Sequence, residues 1–145
     1  MDSLTHLLIT RKLIGTDRTV LIAGLSPDLP FYLTYPPWLI SQGQFISALE
    51  TNDWPEAPAW MYTSHHVAHS FPVVLAFTLS SRLRTGHWPR WCATWALHIL
   101  IDIPTHSRKH WAPKFLWPLS NVMVDGISWP ELFLGLVRQK SKIHT

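Results

Sequence analysis

His98, Asp102 and His106 recur every four residues in the stretch ALHILIDIPTHSRKH, and the first two stand inside a run of Leu and Ile. Residues four apart project from one face of a helix, so His98 and Asp102 would address one point. A carboxylate in an apolar helix is costly unless a hydrogen-bond network, a basic partner or a metal ion offsets its charge. A second group lies in TSHHVAHSF, where His65 and His69 are four apart and His66 and His69 three apart. Asp28 stands between prolines in SPDLP, and His6 adds an imidazole near the start. Each has a plain structural alternative: a helix-end hydrogen bond for Asp102 and His106, a turn for Asp28, an aromatic patch for the histidine pair. Together, four segments offer imidazole and carboxylate donors with no thiol among them. Such donors suit zinc, or a dinuclear site of zinc, manganese or iron. A divalent ion there would offset the charge of Asp102 and lower the pKa of a bound water, with Asp28 or Asp102 sharing the work of a base.

These residues need helices to hold them. Residues 3–14 form a short apolar-rich segment, with Ser3 as a possible cap and Gly15 as a stop. Residues 19–25 are apolar and lead into GLSPDLPF, where Pro27 and Pro30 set an extended turn around Asp28. Residues 31–38 are aromatic and contain Pro36 and Pro37, which argues against one long helix. Residues 42–60 are the most polar and read as a surface loop or short helix. Residues 66–83, with FPVVLAFTL at the centre, are the best helix candidate; at 1.5 Å per residue they would span about 27 Å, near a bilayer core of about 30 Å. Residues 88–103 form a second candidate, ended by Pro104. Residues 105–126 are a Trp- and Pro-rich connection, and 127–137 a last short helix before a basic tail. With no strand pattern, no internal repeat and no low-complexity segment, the expectation is a single all-α domain over 1–145. It would be a compact bundle of about four to five short, apolar, partly membrane-embedded helices.

Composition bounds the partners. Charged residues are 14% of the chain against about 25% in soluble domains, and nine of the 145 residues are Trp. That balance fits a membrane protein with interfacial aromatics, and also a compact soluble helical protein. The basic residues come in short clusters beside apolar runs, which points to anionic lipid rather than nucleic acid. The positive-inside tendency gives no consistent threading, so some segments would be half-spans or interfacial helices. A single cysteine, Cys92, excludes an internal disulfide and a thiolate zinc cluster. No long apolar core precedes a small-residue cleavage site at the N-terminus, so no cleaved signal peptide is expected.

In order along the chain, LTH, GLSPDLP, HHVAHS and ALHILIDIPTHS resemble the motifs of the membrane-bound, metal-dependent hydrolases, also described as LexA-binding, inner-membrane-associated hydrolases. The resemblance covers residues 1 to about 120. More distantly, the Asp turn and the His-x-x-x-Asp helix followed by His are similar to the zinc-dependent phospholipase C and nuclease superfamily. The resemblance implies His6, Asp28, His69, His98 and Asp102 as metal ligands, with His106 and either His65 or His66 beside them. It implies a prokaryotic inner-membrane location and a phosphoester or lipid-derived substrate attacked by a metal-activated water. Many members carry an Arg after the first His of the HHVAHS region and a longer gap before His-Ser; this chain departs from both. The other reading of the same scaffold is a non-catalytic membrane subunit of a larger protein complex. Ser70 and Thr105 are the nearby hydroxyls that could orient the imidazoles.

Overall fold

A computed structural model describes residues 3–51, 53–108 and 111–127. Among them the fold is all-α. The helices are α1 (Ser3–Leu13), α2 (Arg18–Leu25), α3 (Leu29–Ser41), α4 (Phe45–Thr51), α5 (Ala59–Ala68), α6 (Phe71–Thr85) and α7 (Arg90–Thr105). The final helix expected over 127–137 falls almost wholly outside the described residues.

The two long apolar segments are cut differently from the sequence expectation. Residues 66–83 are two helices, because Pro72 at the start of α6 has no N–H for the turn before it. The break falls on His69, which ends α5 with φ −108° and ψ 36°, and on Ser70. The Ser70 hydroxyl accepts the Val73 N–H at 3.2 Å and so caps α6. The 15 residues of α6 span about 22 Å. No helix among the described residues is long and apolar enough to cross a membrane, so the embedded half of the architecture is not supported. In turn, α7 runs through Pro104 to Thr105 instead of stopping before it. The proline sits in the last turn, where only one intrahelical bond is lost.

Two more expectations give way. The link around Asp28 is a 3-10 turn over Ser26–Asp28 that feeds directly into α3, with Asp28 at φ −79° and ψ −18°, rather than an extended turn. Residues 31–38 lie inside α3 despite Pro36 and Pro37. An interior proline costs about 3 kcal/mol. Packing outweighs that cost: Tyr35 and Leu39 are fully buried against Ala57 and Met61, with Phe31, Trp38, Trp54, Tyr62 and Trp111 around them. Burying such side chains stabilises by about 1.5–3 kcal/mol each, and aromatic pairs add about 0.5–1.5.

Three helices, α1, α2 and α7, pack together at Gly24. Gly24 of α2 lies against Thr10 of α1 and Thr94 of α7. A Cβ there would lie 2.9 Å from Thr10 Oγ1 and 3.2 Å from Thr94 Cγ2. Only glycine leaves room for that crossing, and the crossing brings α1 and α7 within side-chain reach of each other.

Candidate metal centre

α7 supplies two donors from one face. His98 and Asp102, four residues apart, are both buried, and His98 Nε2 lies 3.0 Å from Asp102 Oδ2. The kink between α5 and α6 supplies His69, whose Nε2 is 3.2 Å from the same Oδ2. The 3-10 turn supplies Asp28, with Oδ1 3.4 Å from His98 Nε2 and 3.7 Å from His69 Nε2. The two imidazole nitrogens are 3.3 Å apart. One donor atom from each of the four residues lies within 4.8 Å of every other.

The tautomers are set by backbone carbonyls. His98 Nδ1 is 2.8 Å from the Gly24 carbonyl, and His69 Nδ1 is 2.9 Å from the His65 carbonyl. Each Nδ1 therefore carries the proton and donates it, which leaves both Nε2 lone pairs aimed into the same space. Two lone pairs facing each other at 3.3 Å repel unless a proton or a cation lies between them. The arrangement matches how metal-binding histidines are held, with the outer N–H on a carbonyl.

The spacing also fits an ion. With bonds of about 2.0–2.1 Å, the donor atoms around a tetrahedral zinc are about 3.3 Å apart. The five separations given above run from 3.0 to 3.7 Å. The charge fits as well: two carboxylates and two neutral imidazoles carry two negative charges, which one divalent cation offsets.

Without a cation the same geometry pulls on protons. Burial works against charge on His98, but hydrogen bonds with Asp102 and Asp28 outweigh it and lift the imidazole to about 9. His69 is likewise raised, its burial overcome by Asp102 and Asp28. Burial disfavours both carboxylates as anions. Even so, His69, His98 and Ser3 hold Asp28 below the usual carboxylate range, and His106, His6, His69 and His98 do the same for Asp102.

The other sequence candidates take different places. His6, from α1, sets Nε2 2.9 Å from Asp102 Oδ1, and its ring stacks on His98 at 3.8 Å. Its buried Nδ1 has no hydrogen-bond partner. An orphaned lone pair is more readily tolerated than an orphaned N–H, so Nε2 carries the proton and donates it to the carboxylate. His106 sets Nδ1 3.3 Å from the same Oδ1. Thus Asp102 turns Oδ2 to His69 and His98, and Oδ1 to His6 and His106. His65 stands apart, with Nε2 2.9 Å from the Trp111 carbonyl and its ring 4.0 Å from that of His69. Burial holds His65 well below its ordinary pKa, and burial with Lys114 lowers His66 to about 4. The two are neutral neighbours of the cluster.

Residues that sequence reasoning missed act through the backbone or sit outside any motif. The carbonyls of Gly24 and His65 orient the two rings, a role sequence reasoning offered to Ser70 and Thr105; Ser70 instead caps α6. Trp111, in the left-handed region at φ 59°, turns its carbonyl to His65. Ser3 donates to Asp28 Oδ2 at 2.7 Å. No residue type announces a carbonyl acceptor; Ser3 could be reached only by pairing α1 with the Asp28 turn.

Comparison with protein-family models, with curated proteins and with solved structures finds no match for this chain.

Proposed function

We propose that the protein is a metal-dependent hydrolase in which Asp28, His69, His98 and Asp102 hold a divalent ion, zinc first among candidates. The observation that carries this reading is the pair of carbonyl-anchored imidazoles, whose Nε2 atoms converge with two carboxylates, all four donor atoms within 4.8 Å of one another. When bound, the ion would act as a Lewis acid and lower the pKa of a coordinating water to about 7. The chain's own residues divide the remaining work. Asp102 is fully buried and bridges four imidazoles, so it positions rather than exchanges. Asp28 has the longest separations from the imidazoles and is the more exposed carboxylate. It is the ligand that would leave room for a water, with Ser3 holding its outer oxygen. A phosphoester is the substrate class the motif resemblance suggests, and the same resemblance supports an inner-membrane location with membrane lipid as partner.

The second reading is a structural ion in a non-catalytic subunit of a membrane complex. Four protein donors can close a tetrahedral shell, which is the mark of structural zinc. Metal analysis of protein purified without a histidine tag, followed by turnover assays on a panel of phosphomonoesters and phosphodiesters, separates the two. One equivalent of metal with metal-dependent turnover supports the hydrolase. One equivalent without turnover supports the subunit, and metal-free protein overturns the hydrolase and leaves a subunit without an ion.

A further inference from the structure

Four helix ends meet at the pole of the molecule away from the cluster. Arg90, at the start of α7, pairs with Asp17 at 3.0 Å and donates to the carbonyl of Ile14 just after α1. Arg11 and Lys12 lie in the last turn of α1, Arg18 opens α2, and Arg82 and Arg84 lie in the last turn of α6. Asp17 is the one acidic residue in 11–18 and 82–90, against six cations in the same two stretches. Apolar side chains stand among the cations instead of beneath them: Leu13 is 65% exposed, Leu83 86% and Trp88 65%. The Arg82 guanidinium lies 5.7 Å over the Trp88 ring. Asp102 is twelve residues from Arg90 along α7, about 18 Å away.

We infer that this pole is a docking surface for an anionic lipid bilayer, with Leu13, Leu83 and Trp88 entering the headgroup–acyl boundary and the arginines and Lys12 meeting lipid phosphates and carboxylates. The inference rests on the membrane part of the proposed function and is independent of the metal part. Cations alone would serve any polyanion. A nucleic acid, however, offers no apolar phase to receive three exposed hydrophobic tips, whereas a bilayer receives both kinds of side chain. Indole and guanidinium side chains held together match the interfacial layer of a membrane.

The test is flotation of the full chain with phosphatidylcholine vesicles, with and without phosphatidylserine. The expected result is binding that requires phosphatidylserine and weakens as salt rises. Each cation near an anionic surface strengthens partitioning about fivefold, so Arg82→Gln with Arg84→Gln should weaken it about 25-fold. Leu83→Ser with Trp88→Ser should also release the protein. Both variants should keep the wild-type circular dichroism and metal content, because the changed side chains lie far from the cluster. Three outcomes overturn the inference: flotation indifferent to phosphatidylserine, flotation unchanged in both double variants, or loss of flotation only when Arg138, Lys140 and Lys142 of the C-terminal segment are neutralised. Tighter binding to duplex DNA than to the vesicles, sensitive to Arg82 and Arg84 but not to Leu83 and Trp88, would overturn it in favour of nucleic acid. Failure to float with normal metal content would leave the metal reading standing.

Discussion

Asp102 is the residue on which the cluster turns, since its two oxygens serve different neighbours. Replacing it with Asn removes the charge and puts an amide N–H₂ where an acceptor is needed. Asp102→Asn is therefore expected to drop bound metal well below one equivalent while the far-UV circular dichroism stays helical. Full metal content in that variant would remove Asp102 from the ligand set. His6 tests a different role. It donates to Asp102 from outside the four-donor group, so His6→Gln, which keeps an N–H, should hold metal better than His6→Phe, which keeps only the stack on His98. Loss of such an outer hydrogen bond costs about 10–100-fold in metal affinity. Competition with a chelator would read the difference, and a complete loss of metal in both variants would make His6 a ligand instead.

At the scale of elements, the donors were legible in sequence while their supports were not. The i, i+4 spacing of His98 and Asp102 in an apolar run announced both the helix and a compensated charge. Asp28 between two prolines announced a fixed carboxylate, although the link proved helical rather than extended. The apolar run over 66–83 reads as one helix because it masks Pro72, the residue that creates the kink and so aims His69. Pro36 and Pro37 misled in the opposite direction, since the burial that overrides them depends on residues 54–62 and on Trp111, far away in sequence. Gly24 carries little sequence signal and a large structural one: it lets α1 and α7 close on α2, and its carbonyl holds His98. Gly24→Ala should cost about 1–3 kcal/mol through crowding against Thr10 and Thr94. It should also weaken metal binding by shifting that carbonyl. Thermal unfolding and metal titration would read the two effects, and an unaffected variant would show that the crossing has slack. Ser70→Ala, by contrast, should cost about 1 kcal/mol as a lost cap, and more through the lost hydroxyl bond to the Trp117 carbonyl, while reaching the metal through the kink.

For the molecule as a whole, the cluster couples metal, protons and stability. In metal-stripped protein, the raised pKa values of His69 and His98 contribute stability that is complete below about 6.5 and is lost as pH rises, for His98 through about 9. The loss from His98 alone is of order ~3 kcal/mol. Asp28 and Asp102, with lowered pKa values, contribute stability that is present above about 4 and vanishes in stronger acid. His6, His65 and His66 are lowered chiefly by burial, so their share is lost as pH falls below about 6.5. Stripped protein should therefore lose thermal stability between pH 6.5 and 9. Metal reverses that slope. It competes with protons for the two Nε2 atoms, so its affinity rises with pH, and saturating ion stabilises the fold through binding to the native state alone. The gap in melting temperature between zinc-saturated and chelator-treated protein should widen steadily across that window. If the four residues instead form a proton-filled salt-bridge network with no place for a cation, the two curves will fall together.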